Sequence, residues 1–87
     1  MQVTVWDTYV QKKEGSIMHF DILVPLEIKD KEVIYNYGKQ YLQEKNQYGQ
    51  PISSQECKFC HVEQATAAIE KSIMEKGYYI IEMQGCE

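Results

Sequence analysis

The chain has 87 residues, of which 44% are apolar, so it holds one domain, spanning 1–87, with the content of a folded core rather than a disordered tail. Its net charge is -4, and all nine of its positive residues are lysine. Without the forked guanidinium that grips phosphates and guanine edges, and without a basic excess, nucleic acid is excluded as a partner.

The N-terminus, MQVTVWDTYVQKK, has no basic start followed by an apolar run, so it is not a secretory signal. No stretch approaches the roughly 20 apolar residues of a membrane span, which excludes the membrane as a partner and places the chain in the cytoplasm. VTVWDTYV (3–10) and SIMHFDILV (16–24) are rich in β-branched and aromatic residues and flank QKKEG, whose Gly15 can supply a positive φ. They predict a hairpin.

In the second strand Met18, Phe20, Ile22 and Val24 alternate with Ile17, His19, Asp21 and Leu23, and the first set is the expected core face. In the first strand we pair Val3, Val5 and Tyr9 with that core, which leaves Trp6 and Thr8 beside His19 and Asp21 on the outer face. Asp7 then falls on the core side, with a helix N-terminus as its expected partner. A slip of one residue would exchange the two faces.

Beyond Pro25 the period lengthens. Asp30 can cap a helix over 31–46 with Val33, Ile34, Tyr37, Gly38, Tyr41 and Leu42 on one side. QYGQPISSQ (47–55) is a loop by composition. Thr66 can cap a second helix with Ala68, Ile69, Ser72 and Ile73 as its stripe, closed by Gly77. YYIIEM (78–83) is a strand apolar on both faces at its centre, the pattern of a sheet interior.

Between the loop and Thr66 lies ECKFCHVE, with the spacing C-x-x-C-H at Cys57, Cys60 and His61. As a short strand it would send the two thiols to opposite faces, beyond common reach of an ion. As a tight turn it would converge both sulfurs and His61 on zinc, with Cys86 or His19 as the fourth ligand, or set up a thiol redox pair. Phe59 and Val62 favour extension, so the strand reading leads and the metal or redox site is the rival. Covalent haem would require an export that this N-terminus does not provide.

Trp6, His19 and Asp21 form a second constellation on the expected outer face. An imidazole beside a carboxylate is a general base or a pH switch, but no activated nucleophile accompanies it, so a partner-binding patch is preferred to catalysis. The seven tyrosines are expected in the core with their hydroxyls at the surface rather than as a stacking platform.

VWDTYV, MHFDILVP, YGKQYL, ECKFCHVE and GYYIIEM, in this order over essentially the whole chain, resemble a family of small bacterial proteins known only as a domain of unknown function, number twenty twenty-four. The resemblance implies a compact α+β domain of this length and brings no activity, cofactor or catalytic residue with it.

The expected architecture is α+β, ordered β-β-α-β-α-β, an about four-stranded mixed sheet with two helices on one face. The bare face, with Trp6, His19 and Leu23, would then serve a protein partner or a homodimer. The expected function is that of a small non-catalytic binding domain without a cofactor. The alternative is a zinc or thiol-redox protein using Cys57, Cys60 and His61.

Overall fold

The computed structural model describes residues 1–57 and 63–86. The chain forms β1 (Gln2–Gln11), β2 (Ile17–Pro25), α1 (Lys31–Glu44), β3 (Ile52–Glu56), β4 (Glu63–Gln64), α2 (Ala67–Lys76) and β5 (Tyr79–Gln84). The sheet order is β3-β1-β2-β5, and β4 pairs β1 further along the edge that β3 begins. The sheet is therefore four strands wide, and the fold is α+β in the expected order.

The hairpin loop sets the register. Lys12 N–H donates to the Ser16 carbonyl at 2.8 Å and Gly15 N–H to the Lys12 carbonyl at 2.9 Å, while Gly15 takes φ 102° to close the turn. This places Trp6 opposite Ile22 and Asp7 opposite Asp21. Thr4, Trp6, Thr8 and Val10 consequently share a face with Met18, Phe20, Ile22 and Val24, one residue away from the pairing expected for β1. The first strand is apolar on both sides, so alternation alone could not choose between them. Burial of Thr8 is made tolerable by its partners: its hydroxyl lies 2.9 Å from that of Ser54 and donates to the Trp6 carbonyl.

Every described strand pair is antiparallel, which corrects the mixed pairing. The registers show why. α1 carries the chain back so that β3 runs with β2 but lands beyond β1, leaving β1 between them. β4 ends beside Gln2 and β5 starts opposite Leu23, at one end of the sheet, so β5 runs against β2. It also lies at an edge, not inside. Its two-sided apolar character serves α1 through Ile80 and the opposite face through Tyr79. Residues 52–56, expected as loop, form β3 because pairing with β1 and the buried Ser54 hydroxyl outweigh weak strand propensity.

The helices pack on different faces, correcting the expectation of one. Ile34, Tyr41 and Leu42 of α1 cover Phe20, Ile22 and Val24, and Gly38 permits the approach, since a Cβ there would sit 3.1 Å from Ile52 Cδ1. Ile69 and Ile73 of α2 instead pack with Val3, Val5, Leu23 and Tyr79 of the second face. That apolar end of the second face needs cover that α1 cannot give. Among the described residues, the rest of the second face has no helix over it, and Tyr9 (47% exposed), Ile17 (54%) and Ile81 (37%) stand there open.

Both helices start at the expected caps, Asp30 accepting from Glu32 N–H at 2.9 Å and Thr66 accepting from Ile69 N–H at 3.3 Å. Thr66→Ala is expected to cost about 1 kcal/mol. That corresponds to a fall of roughly 4–8 °C in the melting temperature of a domain this size. Thermal melts followed by circular dichroism check it, and an unchanged melting temperature would refute the cap's contribution. No described helix is long and apolar enough to cross a membrane.

Candidate functional site

The uncovered half of the second face carries a block of four side chains. Tyr9 opposes His19 and Asp7 opposes Asp21 on alternate rungs of the β1–β2 ladder, successive on this face, with the Thr8–Phe20 rung between them pointing to the other side. Cross-strand neighbours of this kind have Cβ atoms about 4.5–5.5 Å apart, so the four meet by virtue of register alone. The Tyr9 and His19 rings stack at 4.3 Å with an interplanar angle of 7°. This fixes the plane of the imidazole, whose Nε2 faces the carboxylates of the next rung on this face.

His19 Nε2 lies 3.8 Å from Asp7 Oδ1 and 3.8 Å from Asp21 Oδ1, beyond hydrogen-bond length on both sides. Ligand atoms of Asp7, His19 and Asp21 all fall within 4.8 Å of one another. His19 Nε2 and Asp21 Oδ1 reach essentially no solvent and hydrogen-bond to nothing in the structure. Such orphaned polar atoms are rare in folded proteins, because each forfeits its hydration without compensation. The Asp7 side chain, 42% exposed, forms the open side of the cluster.

The Asp21 carboxyl is raised from 3.8 to about 6, first by burial and then by hydrogen bonding and charge from Asp7, with His19 opposing the rise. Two ionised carboxylates are both acceptors, so Asp21 hydrogen-bonds to Asp7 only when it carries a proton itself. With that proton absent, the pair is left with repulsion and an unmatched oxygen.

Backbone features hold the block from behind. Phe20 opposes Glu82 but His19 opposes Gln84, so Met83 is an extra residue that bulges β5 beside His19. Buried Cys86 donates its thiol to the His19 carbonyl at 3.3 Å, and Gly85, at φ 70°, passes so close to β2 that a Cβ would sit 2.5 Å from the Ile17 carbonyl oxygen. These contacts tie the end of β5 to β2 at the site.

The fold also contains a shallow cleft of about 560 Å³ where α1, α2 and β5 meet, lined by Tyr41, Lys45, Lys76 and Glu82 among others. Its central charges are already paired: Lys45 Nζ lies 2.8 Å from Glu82, Tyr41 donates its hydroxyl to the same carboxylate, and Lys76 Nζ lies over the Tyr78 ring at 5.6 Å. Burial and Glu82 push the Tyr41 phenol up, and the hydrogen bonds from Lys45 and Tyr41 hold Glu82 below the usual carboxylate range. The cleft therefore offers less unmet chemistry than the hairpin block.

Of the residues singled out from sequence, the structure brings His19 and Asp21 together and removes Trp6, which is buried under α1 on the opposite face. Thr8 is buried there too. Leu23, expected exposed, lies beneath α2. Asp7 and Tyr9 were missed, yet the signal was present: D-x-Y and H-x-D face each other once the five residues 12–16 are taken as the hairpin connection with Lys12 opposite Ser16. Cys57 follows β3 and donates its backbone N–H to the Val5 carbonyl at 2.9 Å. Cys60 and His61 lie outside the described residues, and with them the geometry of C-x-x-C-H. Cys86 follows β5 at the other edge of the sheet from Cys57, and His19 belongs to the hairpin block, so neither is placed as a fourth ligand. The tyrosines form no single platform: Tyr78 is buried and stacked on Tyr37 at 4.7 Å, Tyr41 packs against Phe20, and Tyr48 stands apart in solvent.

The fold is similar to that in the NMR structure of protein NE1680 from Nitrosomonas europaea, a structural genomics target. The likeness spans 100% of both chains with 38% sequence identity and a TM-score of 0.77. No curated protein matches the chain. Residues 1–83 match the family described as Domain of unknown function (DUF2024), and over that span, with the hairpin and both helices inside it, the chain belongs to this family.

Proposed function

We propose that this is a small cytoplasmic, non-catalytic binding domain that works through the uncovered half of its second sheet face. One observation carries the reading: His19 Nε2 and Asp21 Oδ1, shielded from solvent and without hydrogen-bond partners, face each other at 3.8 Å on the side that no described helix covers. A ligand that supplies a positive charge or donors there would compensate both oxygens of the acidic rung. The exposed Tyr9, Ile17 and Ile81 give it an apolar rim, the arrangement of a partner surface with a polar centre. A protein partner or a second copy of this chain would bury that rim.

The test locates binding rather than presupposing the ligand. Amide shifts of the ¹⁵N-labelled full chain would be followed against divalent cations, a lysine-rich peptide and rising concentration of the protein itself. Shifts centred on Asp7, Tyr9, His19, Asp21 and Ile81 are expected for at least one probe. Shifts confined to the Tyr41–Lys45–Glu82 cleft, or absent for every probe, would overturn the reading.

A further inference from the structure

Resting on that reading, the geometry points to the ligand of the polar centre: we propose that Asp7, His19 and Asp21 form a binding site for a divalent transition-metal ion, zinc foremost. The donor set is one imidazole nitrogen and two carboxylate oxygens, the mixture borderline first-row ions accept, whereas calcium and magnesium prefer oxygen alone. The three donors come from two paired strands whose register is pinned by the Gly15 turn, so the site is built into the sheet and not into a loop.

The spacing suits an ion. Zinc holds nitrogen and oxygen ligands at about 2.0–2.2 Å, which places ligand atoms of a tetrahedron about 3.3 Å apart. His19 Nε2 stands 3.8 Å from each carboxylate oxygen, too far for a hydrogen bond and a few tenths of an ångström wider than the bound set. Small side-chain torsions close that gap. An ordinary ion-pair or hydrogen-bonded role would instead have brought the nitrogen to about 2.7–2.9 Å from one oxygen.

The orphaned atoms make the same case independently. His19 Nε2 and Asp21 Oδ1 are the two inner donors, and both lack solvent and partners. Stacking on Tyr9 keeps Nε2 aimed at the carboxylates. With three protein ligands, the remaining coordination positions lie on the exposed Asp7 side, where a water or an anionic group of a partner would complete the shell.

The experiment uses the full chain, stripped with chelator and returned to buffer under reducing conditions. Zinc and manganese are titrated separately by calorimetry, with native mass spectrometry for stoichiometry. One zinc per chain is expected. Affinity should fall at least about tenfold in His19→Ala and in Asp21→Asn, on the scale of perturbed metal sites. It should be unchanged when Cys57 and Cys60 are both replaced by Ser. Should His19→Ala fail to fold, Asp7→Asn, at a half-exposed position, carries the same expectation. No ion bound, or an ion lost only with the two cysteines, overturns the inference. In either of those cases amide shifts centred on the same face with the peptide or with self-association would leave the broader binding reading standing. Their absence would remove both.

Discussion

Phe20→Ala is expected to remove about 3–5 kcal/mol of stability, the range for deleting a fully buried aromatic ring. Phe20 has no exposed surface, and its ring tilts against that of Tyr41 at 4.6 Å, joining β2 to α1 at the centre of the main core. A chain of this length is stabilised by roughly 0.05–0.15 kcal/mol per residue, so the loss would take a large share of the total. Urea denaturation measures it as a fall in midpoint at unchanged slope. Tyr9→Ala supplies the contrast, since Tyr9 stands half exposed on the other face, stacked on the His19 ring and outside both core clusters. Its expected cost is within about 1 kcal/mol, the scale of an aromatic contact without deep burial. Equal costs at the two positions would mean that the hairpin register is wrong.

That register is also where the sequence was hardest to read. Alternation in β2 identified Met18, Phe20, Ile22 and Val24 correctly, because its other face carries His19 and Asp21 and the contrast is strong. In β1 both faces are apolar, Val3 and Val5 on one and Trp6 and Val10 on the other, so the choice rested on the loop. Five residues between the strands, with Gly15 in the left-handed region, pair even-numbered residues with even-numbered ones. The inverted choice exposed Trp6, hid Asp7 and broke the candidate site in two. The helices were legible from Asp30, Thr66 and Gly77, whose capping chemistry is local. Their faces were not, because which side α2 covers depends on where β4 and β5 begin, and both of those pairings are long-range. Strand β3 was hidden for a related reason. Ser53, Ser54 and Gln55 have no strand signal of their own and are ordered by β1, with Thr8 supplying the partner that makes Ser54 fit inside.

Asp21→Asn is expected to stabilise the metal-free protein above pH 6 and to make no difference below about pH 4. In the folded state the Asp21 carboxyl titrates at about 6 instead of 3.8, raised first by burial and then by Asp7. Between those values the native state binds more protons than the unfolded chain. Stability therefore falls as pH rises through that window, and the whole penalty is present above it. At about 1.4 kcal/mol per unit the shift would correspond to roughly 3 kcal/mol, but solvent at the half-exposed Asp7 screens part of it, so a gain of about 1–2 kcal/mol is expected for the neutral amide. The groups facing Asp21 on this side are Asp7 from β1 and His19 from its own strand, with Tyr9 and Ile81 at the rim. Denaturation of both proteins in chelator from pH 4 to pH 8 gives the difference curve directly. Salt then separates the causes, because it weakens the repulsion from Asp7 while leaving the cost of burial almost untouched. A difference that stays constant across the range would show that Asp21 is not held in a desolvated acidic rung, and the electrostatic description of this face would fall with it.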